Sequence, residues 1–369
     1  MSFFILVLLI LATLWLLAWW FDRGEDLSAY DHPLDASACE SFGSPTGPSA
    51  EHRQAEANFL AMGGQAARMP RIARLRFMRD FMEHFPAGRE FSCEFRPADV
   101  DGIPGEWILA PNADPSRRVL YIHGGAFISG SPNSHRTITS RFSEVAQASV
   151  LAVDYRLMPE HRRRDGIADC QAAYRWVLEH GPDGPGGARR LYLGGDSAGG
   201  NLSLALSAWA RDAGLRIPDA VVALSPLTDS SYSGASIRAN LKTDTMLGPL
   251  FGALLKIPRP VLVWLFVIEN RFRPVDPRVS PLFGDLSRLP PTLVQVSEAE
   301  MLLDDARRYV NKARASGSPA RLQSWAGLLH VWQILNPEVP EAMDAFAKIG
   351  DFVRSVEAAK PECCSTRSG

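Results

Sequence analysis

Leu191 to Ala210 reads LYLGGDSAGGNLSLALSAWA. Leu191–Leu193 is a short apolar run of the kind buried in a sheet, and Gly200–Ala213 carries a helical pattern. Between them lies Gly195-x-Ser197-x-Gly199. Glycines at both flanks remove side chains where a strand and the following helix come close. The strained turn then holds the Ser197 hydroxyl above the sheet, the arrangement of a nucleophile elbow.

The same alternation continues on both sides. Short apolar runs at Glu106–Ala110, Val119–Ile122, Val150–Val153, Val221–Leu224, Thr292–Val296 and Leu322–Trp325 read as strands. Helical patterns lie between several of them, including one marked by Ile167, Cys170, Tyr174, Val177 and Leu178, and others over Leu302–Ala315 and Glu341–Ala358. Strands alternating with helices predict an α/β fold with a mostly parallel, doubly wound sheet over about 91–358. Ligands of such sheets bind at the carboxyl ends of the strands. More than sixty residues separate the Val221–Leu224 and Thr292 strands, so about 230–275 reads as an inserted cap. Within it, VLVWLFVI (Val261 to Ile268) is too short to cross a bilayer. It reads as core of the inserted helices, as an apolar wall over a substrate, or as a dip into a membrane surface.

A serine hydroxyl is a poor nucleophile at neutral pH and needs a base, a carboxylate to orient that base, and donors for an oxyanion. Ala198 N–H, just after the elbow, supplies one donor. The Val119–Ile122 strand runs into His123-Gly124-Gly125-Ala126-Phe127, whose glycines let main-chain N–H groups face a carbonyl. His123 itself is read as shaping this loop. In this fold the triad partners follow the serine in the order acid, then histidine. Only His330 follows the later strands; His32, His52, His84 and His180 sit elsewhere. Four carboxylates follow the Thr292–Val296 strand: Glu298, Glu300, Asp304 and Asp305. The last two come after a helix begins and are expected to point along it or cap it. Glu298 and Glu300 both remain candidates for the acid.

At this point the sequence resembles the hormone-sensitive lipase-like family of α/β-hydrolases, in its bacterial GDSAG branch. The matching blocks are HGGAF (123–127), VDYRLMPEH (153–161), GDSAGGN (195–201), DPRVSPLFGDLSRLPPTLVQV (276–296), EMLLDDA (300–306) and GLLHVWQ (327–333). The resemblance implies a serine hydrolase of carboxylic esters of short to medium acyl chain, working through an acyl-enzyme. It implies Ser197 as nucleophile, His330 as base and Glu300 as acid, where many relatives carry Asp. It implies oxyanion donors at Gly125, Ala198 and either Gly124 or Ala126. It also implies a lid from N-terminal helices and the insertion. Three departures stand out: Ala126 replaces a Gly, Arg162-Arg163-Arg164-Asp165 replaces the usual Pro-Phe-Pro-Ala, and Ser297 and Glu298 replace the usual Gly and its neighbour. An amidase or deacetylase on the same triad is the alternative. A non-catalytic receptor of this fold is disfavoured by the presence of His330.

Upstream, Phe3 to Phe21 is FFILVLLILATLWLLAWWF, without a charge. At about 1.5 Å per residue this is roughly 28 Å of helix, close to the hydrocarbon thickness of a bilayer. The run is too long for a signal-peptide core, no basic segment precedes it, and bulky Trp19, Trp20 and Phe21 replace a cleavage site. We read residues 1–22 as an N-terminal transmembrane anchor, with a signal peptide and a core helix as the rivals. Residues 23–64, rich in Ser, Pro, Gly and Ala, read as a polar tether. Over 65–90, a cap helix is expected. Its Ile72, Leu75, Met78, Met82 and Phe85 recur at helical spacing. The five arginines of Arg68–Phe85 form either a solvated face or a contact for anionic headgroups. Residues 359–369 read as a frayed tail.

The 369-residue chain is 46% hydrophobic, enough for a large core, and its net charge of −2 gives no reason to expect nucleic acid. Five scattered cysteines without a CxxC pair argue against a disulfide framework or a zinc site. No HExxH or clustered ligand set suggests a metal, and no cofactor is expected.

Overall fold

Nine strands hydrogen-bond into one mixed sheet whose centre is apolar on both faces. The computed structural model describes residues 3–359. The expected tail, from Lys360 on, and Cys363 and Cys364 lie outside the described residues.

In chain order the elements are α1 (Phe3–Asp22), β1 (Cys39–Phe42), α2 (Ala50–Ala67), α3 (Arg71–His84), β2 (Glu94–Val100), β3 (Ile103–Leu109) and β4 (Asp114–Ile122). Then come α4 (Arg136–Ala146), β5 (Ala148–Val153), α5 (Arg163–Glu179), a two-stranded ribbon of β6 (His180–Gly181) and β7 (Gly184–Pro185), β8 (Arg190–Asp196) and α6 (Ala198–Asp212). After β9 (Ala220–Leu224), the insertion holds α7 (Ser236–Ala239), α8 (Leu247–Phe251) and α9 (Arg259–Asn270). The chain closes with β10 (Thr292–Ser297), α10 (Leu303–Ala315), β11 (Ala320–Trp325) and α11 (Pro340–Ala359).

The sheet order is β1-β11-β10-β9-β8-β4-β5-β3-β2. Every pairing is parallel except those of β3, which runs antiparallel to β2 and β5. All residues of β5 and β9 are buried, as continuous apolar runs covered by helices on both faces should be. All seven expected strands are present, the one expected over Glu106–Ala110 ending a residue earlier, at Leu109. The parallel strands β8, β10 and β11 therefore point their carboxyl ends to one edge, and the loops there carry Ser197, Glu300 and His330.

The expectation of a tether over 23–64 is corrected. Leu27 and Ala38 are buried, β1 pairs in parallel with β11, and α2 packs in the cap. The charges that suggested a solvated segment are paired instead. Asp31 accepts two bonds from Arg308, at 2.5 and 2.9 Å, and Glu25 accepts one from Lys312 at 2.5 Å. Asn311 donates to the carbonyls of Tyr30 and His32. The polar segment thus satisfies an otherwise buried polar face of α10. Strand β1, CESF, is short and sits at the edge of the sheet, so it lacks the apolar run that marks interior strands.

Candidate active site

Close packing decides the elbow. A Cβ on Gly195 would lie 2.4 Å from Gly199 O, and one on Gly199 would lie 1.9 Å from Ile122 O. Neither position admits a side chain. Ser197 sits between them at φ 50°, ψ −114°, a conformation non-glycine residues rarely hold. Its N–H donates to Leu224 O at 2.7 Å, and its carbonyl accepts from Asn201 N at 3.0 Å. The turn is therefore fixed by β9 on one side and α6 on the other.

Ser197 Oγ donates to His330 Nε2 at 2.9 Å. On the other side of the ring, His330 Nδ1 donates to Glu300 Oε2 at 2.6 Å. The carboxylate fixes the tautomer: Nδ1 carries the proton and Nε2 is left to accept. Glu300 Oε1 also accepts from Ser297 N–H and from Ser225 Oγ, each at 2.7 Å. Ser225 was not legible as a site residue, because a serine at the end of a strand carries no motif. It holds the Glu300 carboxylate and also accepts the Val331 N–H at 3.3 Å. Glu298 is exposed and its Oε1 accepts from Ser324, away from the imidazole. Asp304 and Asp305 do not simply cap α10. Asp304 accepts the Ser236 N–H, and Asp305 accepts those of Thr228 and Asp229, fastening the insertion.

Glu300 and His330 are both buried. Burial raises the Glu300 carboxyl above its ordinary range, against the pull of His330 and the Ser297 N–H. Burial pulls the His330 imidazole down, but the Glu300 carboxylate and more distant acids outweigh it, so the ring lies above its usual range.

The loop His123–Phe127 is held by Asp196. Its Oδ1 accepts Gly124 N–H at 3.0 Å and Tyr121 OH at 2.6 Å, and His135 Nε2 lies 3.3 Å from Oδ2. Burial works against this carboxylate, but His135 and Tyr121 outweigh it and keep it below its usual range. Gly124 is thus occupied, which removes it from the candidate donors. Gly125 turns at φ 110°, and its N–H and that of Ala126 make no backbone bond among the described residues. With Ala198 N–H at the start of α6, these are three N–H groups on residues that line, together with Ser197, the cavities at the elbow. His123 is buried, stacked on Tyr155 at 4.4 Å, and held down to about 3 by burial, so it is neutral and structural.

A second histidine matters that composition had assigned to the tether. His52 on α2 is fully buried, and its Nε2 accepts the N–H of Leu329, next to His330, at 2.9 Å. The replaced loop also has a defined place. Arg163 is buried, lies 3.7 Å over the Phe127 ring, and donates to Asn201 Oδ1 at 3.0 Å.

Two apolar cavities meet at Ser197. One of about 730 Å³ lies under α3 and α8, lined by Leu75, Met78, Met82, Phe85 and Leu250. The apolar stripe of α3 therefore faces a cavity, with Phe85 also packed on the core. The other, about 270 Å³, lies under α9, lined by Leu262, Val263, Phe266 and Met301. Part of the VLVWLFVI run, Leu262, Val263, Leu265 and Phe266, is thus an apolar wall, while Val261 and Ile268 face outward.

Residues 119–334 match a family model described as an alpha/beta hydrolase fold. An esterase of Acinetobacter venetianus is 35% identical over 264 residues, spanning 72% of this chain and 83% of that one. An acetyl-hydrolase of Streptomyces hygroscopicus is 37% identical over 263 residues, 70% of this chain and 83% of that one. A crystal structure of an esterase from the bacterial hormone-sensitive lipase family superposes with a TM-score of 0.70 at 34% identity, over 83% of this chain and 98% of that one. Likeness of this extent, running through the elbow and the His330 loop alike, means that the chain belongs to the hormone-sensitive-lipase-like family of α/β-hydrolases and is a serine hydrolase of carboxylic esters.

Proposed function

We propose that Ser197, His330 and Glu300 are the triad of this esterase, and that Gly125, Ala126 and Ala198 supply its oxyanion donors. The hydrogen-bonded chain from Ser197 Oγ through His330 to Glu300 carries this reading. Ser197 Oγ attacks the ester carbonyl carbon as His330 Nε2 takes its proton. The negative charge on the carbonyl oxygen is met by the three N–H groups, each worth about 3–4 kcal/mol of barrier. His330 then gives the proton to the leaving alkoxide, and the alcohol departs. Water repeats the sequence on the acyl-enzyme, releasing the carboxylic acid and restoring Ser197. Glu300 stays ionised throughout and stabilises the imidazolium. The two cavities take the acyl chain and the alcohol group, and their apolar walls suit short to medium chains.

Only neutral His330 accepts the Ser197 proton. Its pKa is raised, so activity is lost on acidification earlier than for an ordinary imidazole at about 6.5. The pH profile of kcat/KM on a nitrophenyl ester should show an acid limb above that value. A limb below it contradicts the pairing with Glu300.

We further propose that α1 anchors the enzyme in a membrane. It is long and apolar enough to cross one, and of its residues only Ala18 is buried. The full-length protein should sediment with membranes and resist high salt and alkaline carbonate. Release by salt makes α1 peripheral, and a mature N-terminus after Phe21 makes it a signal peptide.

A further inference from the structure

Outside α1, five large apolar side chains are exposed among the described residues: Leu60, Ile72, Val261, Leu265 and Ile268. All five lie on the cap helices α2, α3 and α9, and none on the hydrolase body. Scattered exposed apolar residues need no explanation, but confinement to one structural unit marks a contact surface. On α9 the spacing is four and then three, so Val261, Leu265 and Ile268 share one face. Leu262, Val263 and Phe266 of the same helix line the smaller cavity, and Leu265 sits at its edge, touching the cavity while still exposed. One helix therefore separates the catalytic cavity from the outside, and both of its faces are apolar.

What covers the outer face is indicated by α1. Helix α9 packs against its C-terminal part: Trp264 Nε1 donates to Leu14 O at 3.0 Å, and Phe21 meets the Trp264 ring edge-on at 5.4 Å. Leu14 lies eight residues before Asp22, about 12 Å at 1.5 Å per residue. The ends are tied as well. Arg259 pairs with Asp22 at 2.6 Å, and Arg273 donates to the carbonyls of Trp20, Phe21 and Arg23. These bonds satisfy groups that a helix C-terminus leaves open, and place a cation where the helix dipole favours it. A bilayer holding α1 thus reaches the depth of α9.

The mouth of the larger cavity lies at the same place. Arg71 on α3 and Glu269 on α9 both line it and pair across it at 3.0 Å, with 88% and 47% of their side chains exposed. Such an exposed pair holds the gap without locking it. Ile72 and Ile268 flank it, and Arg68 and Arg76 on the α2–α3 side are exposed with no ion pair among the described residues. Apolar side chains beside free arginines match the boundary between acyl chains and anionic headgroups.

We infer that the mouth between α3 and α9 opens on the bilayer that holds α1, and that the enzyme draws a lipid-dissolved ester from that bilayer, not from water. This rests on the esterase and anchor readings above. The substrate class is an apolar carboxylic ester whose acyl chain partitions into lipid. Hydrolysis adds one water, breaks the acyl C–O bond, and gives a carboxylic acid and an alcohol.

The test uses the full chain reconstituted in vesicles of phosphatidylcholine and phosphatidylglycerol in equal parts. Two probes are compared: methylumbelliferyl decanoate dissolved in the bilayer, and nitrophenyl acetate in the water. The double variant Val261→Asp/Ile268→Asp changes only outward positions that line neither cavity. It should lose about tenfold or more on the decanoate, because charges on that face lift it from the lipid. Turnover of the acetate should stay within about twofold of wild type, which also reports folding. Equal turnover of the decanoate by variant and wild type overturns the inference, as does a parallel loss on both esters. Wild-type protein that cleaves the acetate but not the bilayer-dissolved decanoate also overturns it, while leaving the esterase reading intact.

Discussion

Ser197→Ala should lower kcat on a short nitrophenyl ester by on the order of 10⁶, because the hydroxyl that forms the acyl-enzyme is gone. His330 and Glu300 cannot compensate, since alone they have no group to activate. Oxyanion donors and substrate binding remain, so a residual rate of roughly 10³–10⁴ over water is expected. The fold should hold: alanine is smaller than serine, and the turn is fixed by backbone bonds from Ser197 N–H to Leu224 O and from Asn201 N–H to Ser197 O. Steady-state kcat beside an unchanged melting curve is the check. A variant that keeps more than a tenth of the activity sinks the assignment.

The second large effect belongs to the acid. Glu300→Gln should cost about 10⁴ in kcat, because an amide can donate to the imidazole and fix the wrong tautomer. Two features sharpen the test. The carboxylate charge is what keeps His330 above its ordinary range, so the residual activity should show an acid limb moved to lower pH. Glu298 points outward to Ser324, so Glu298→Gln should leave kcat within about threefold, as expected of an exposed substitution. The reverse ranking moves the acid to Glu298.

How far the sequence carries this account differs by residue. The elbow was legible because its geometry admits almost no alternatives: two glycines without room for Cβ and a serine forced into a rare backbone conformation. The interior strands were legible because burial on both faces demands unbroken apolar runs. His330 could be picked out because chain order left one candidate. Chain order alone could not choose the acid, since Glu298 and Glu300 are two residues apart on one loop; the resemblance pointed to Glu300, and the fold turns Glu300 inward. The segment after α1 was misread because composition records polarity but not partners. Asp31, Glu25 and the main chain near Tyr30 meet Arg308, Lys312 and Asn311 from about 280 residues away in sequence. Ser225 and His52 escaped for a related reason. Ser225 bonds Glu300 and the Val331 N–H, His52 accepts the Leu329 N–H, and no local pattern marks either residue.

In the proposed mechanism Ser197 carries the acyl group. The most direct measurement is covalent capture: the full-length protein is treated with a fluorophosphonate, digested, and its peptides weighed. One adduct should appear, on the peptide containing Ser197, with loss of esterase activity in step with labelling, and Ser197→Ala should take up none. Labelling on a different residue that tracks the loss of activity, or full inactivation with Ser197 unmodified, would contradict the account.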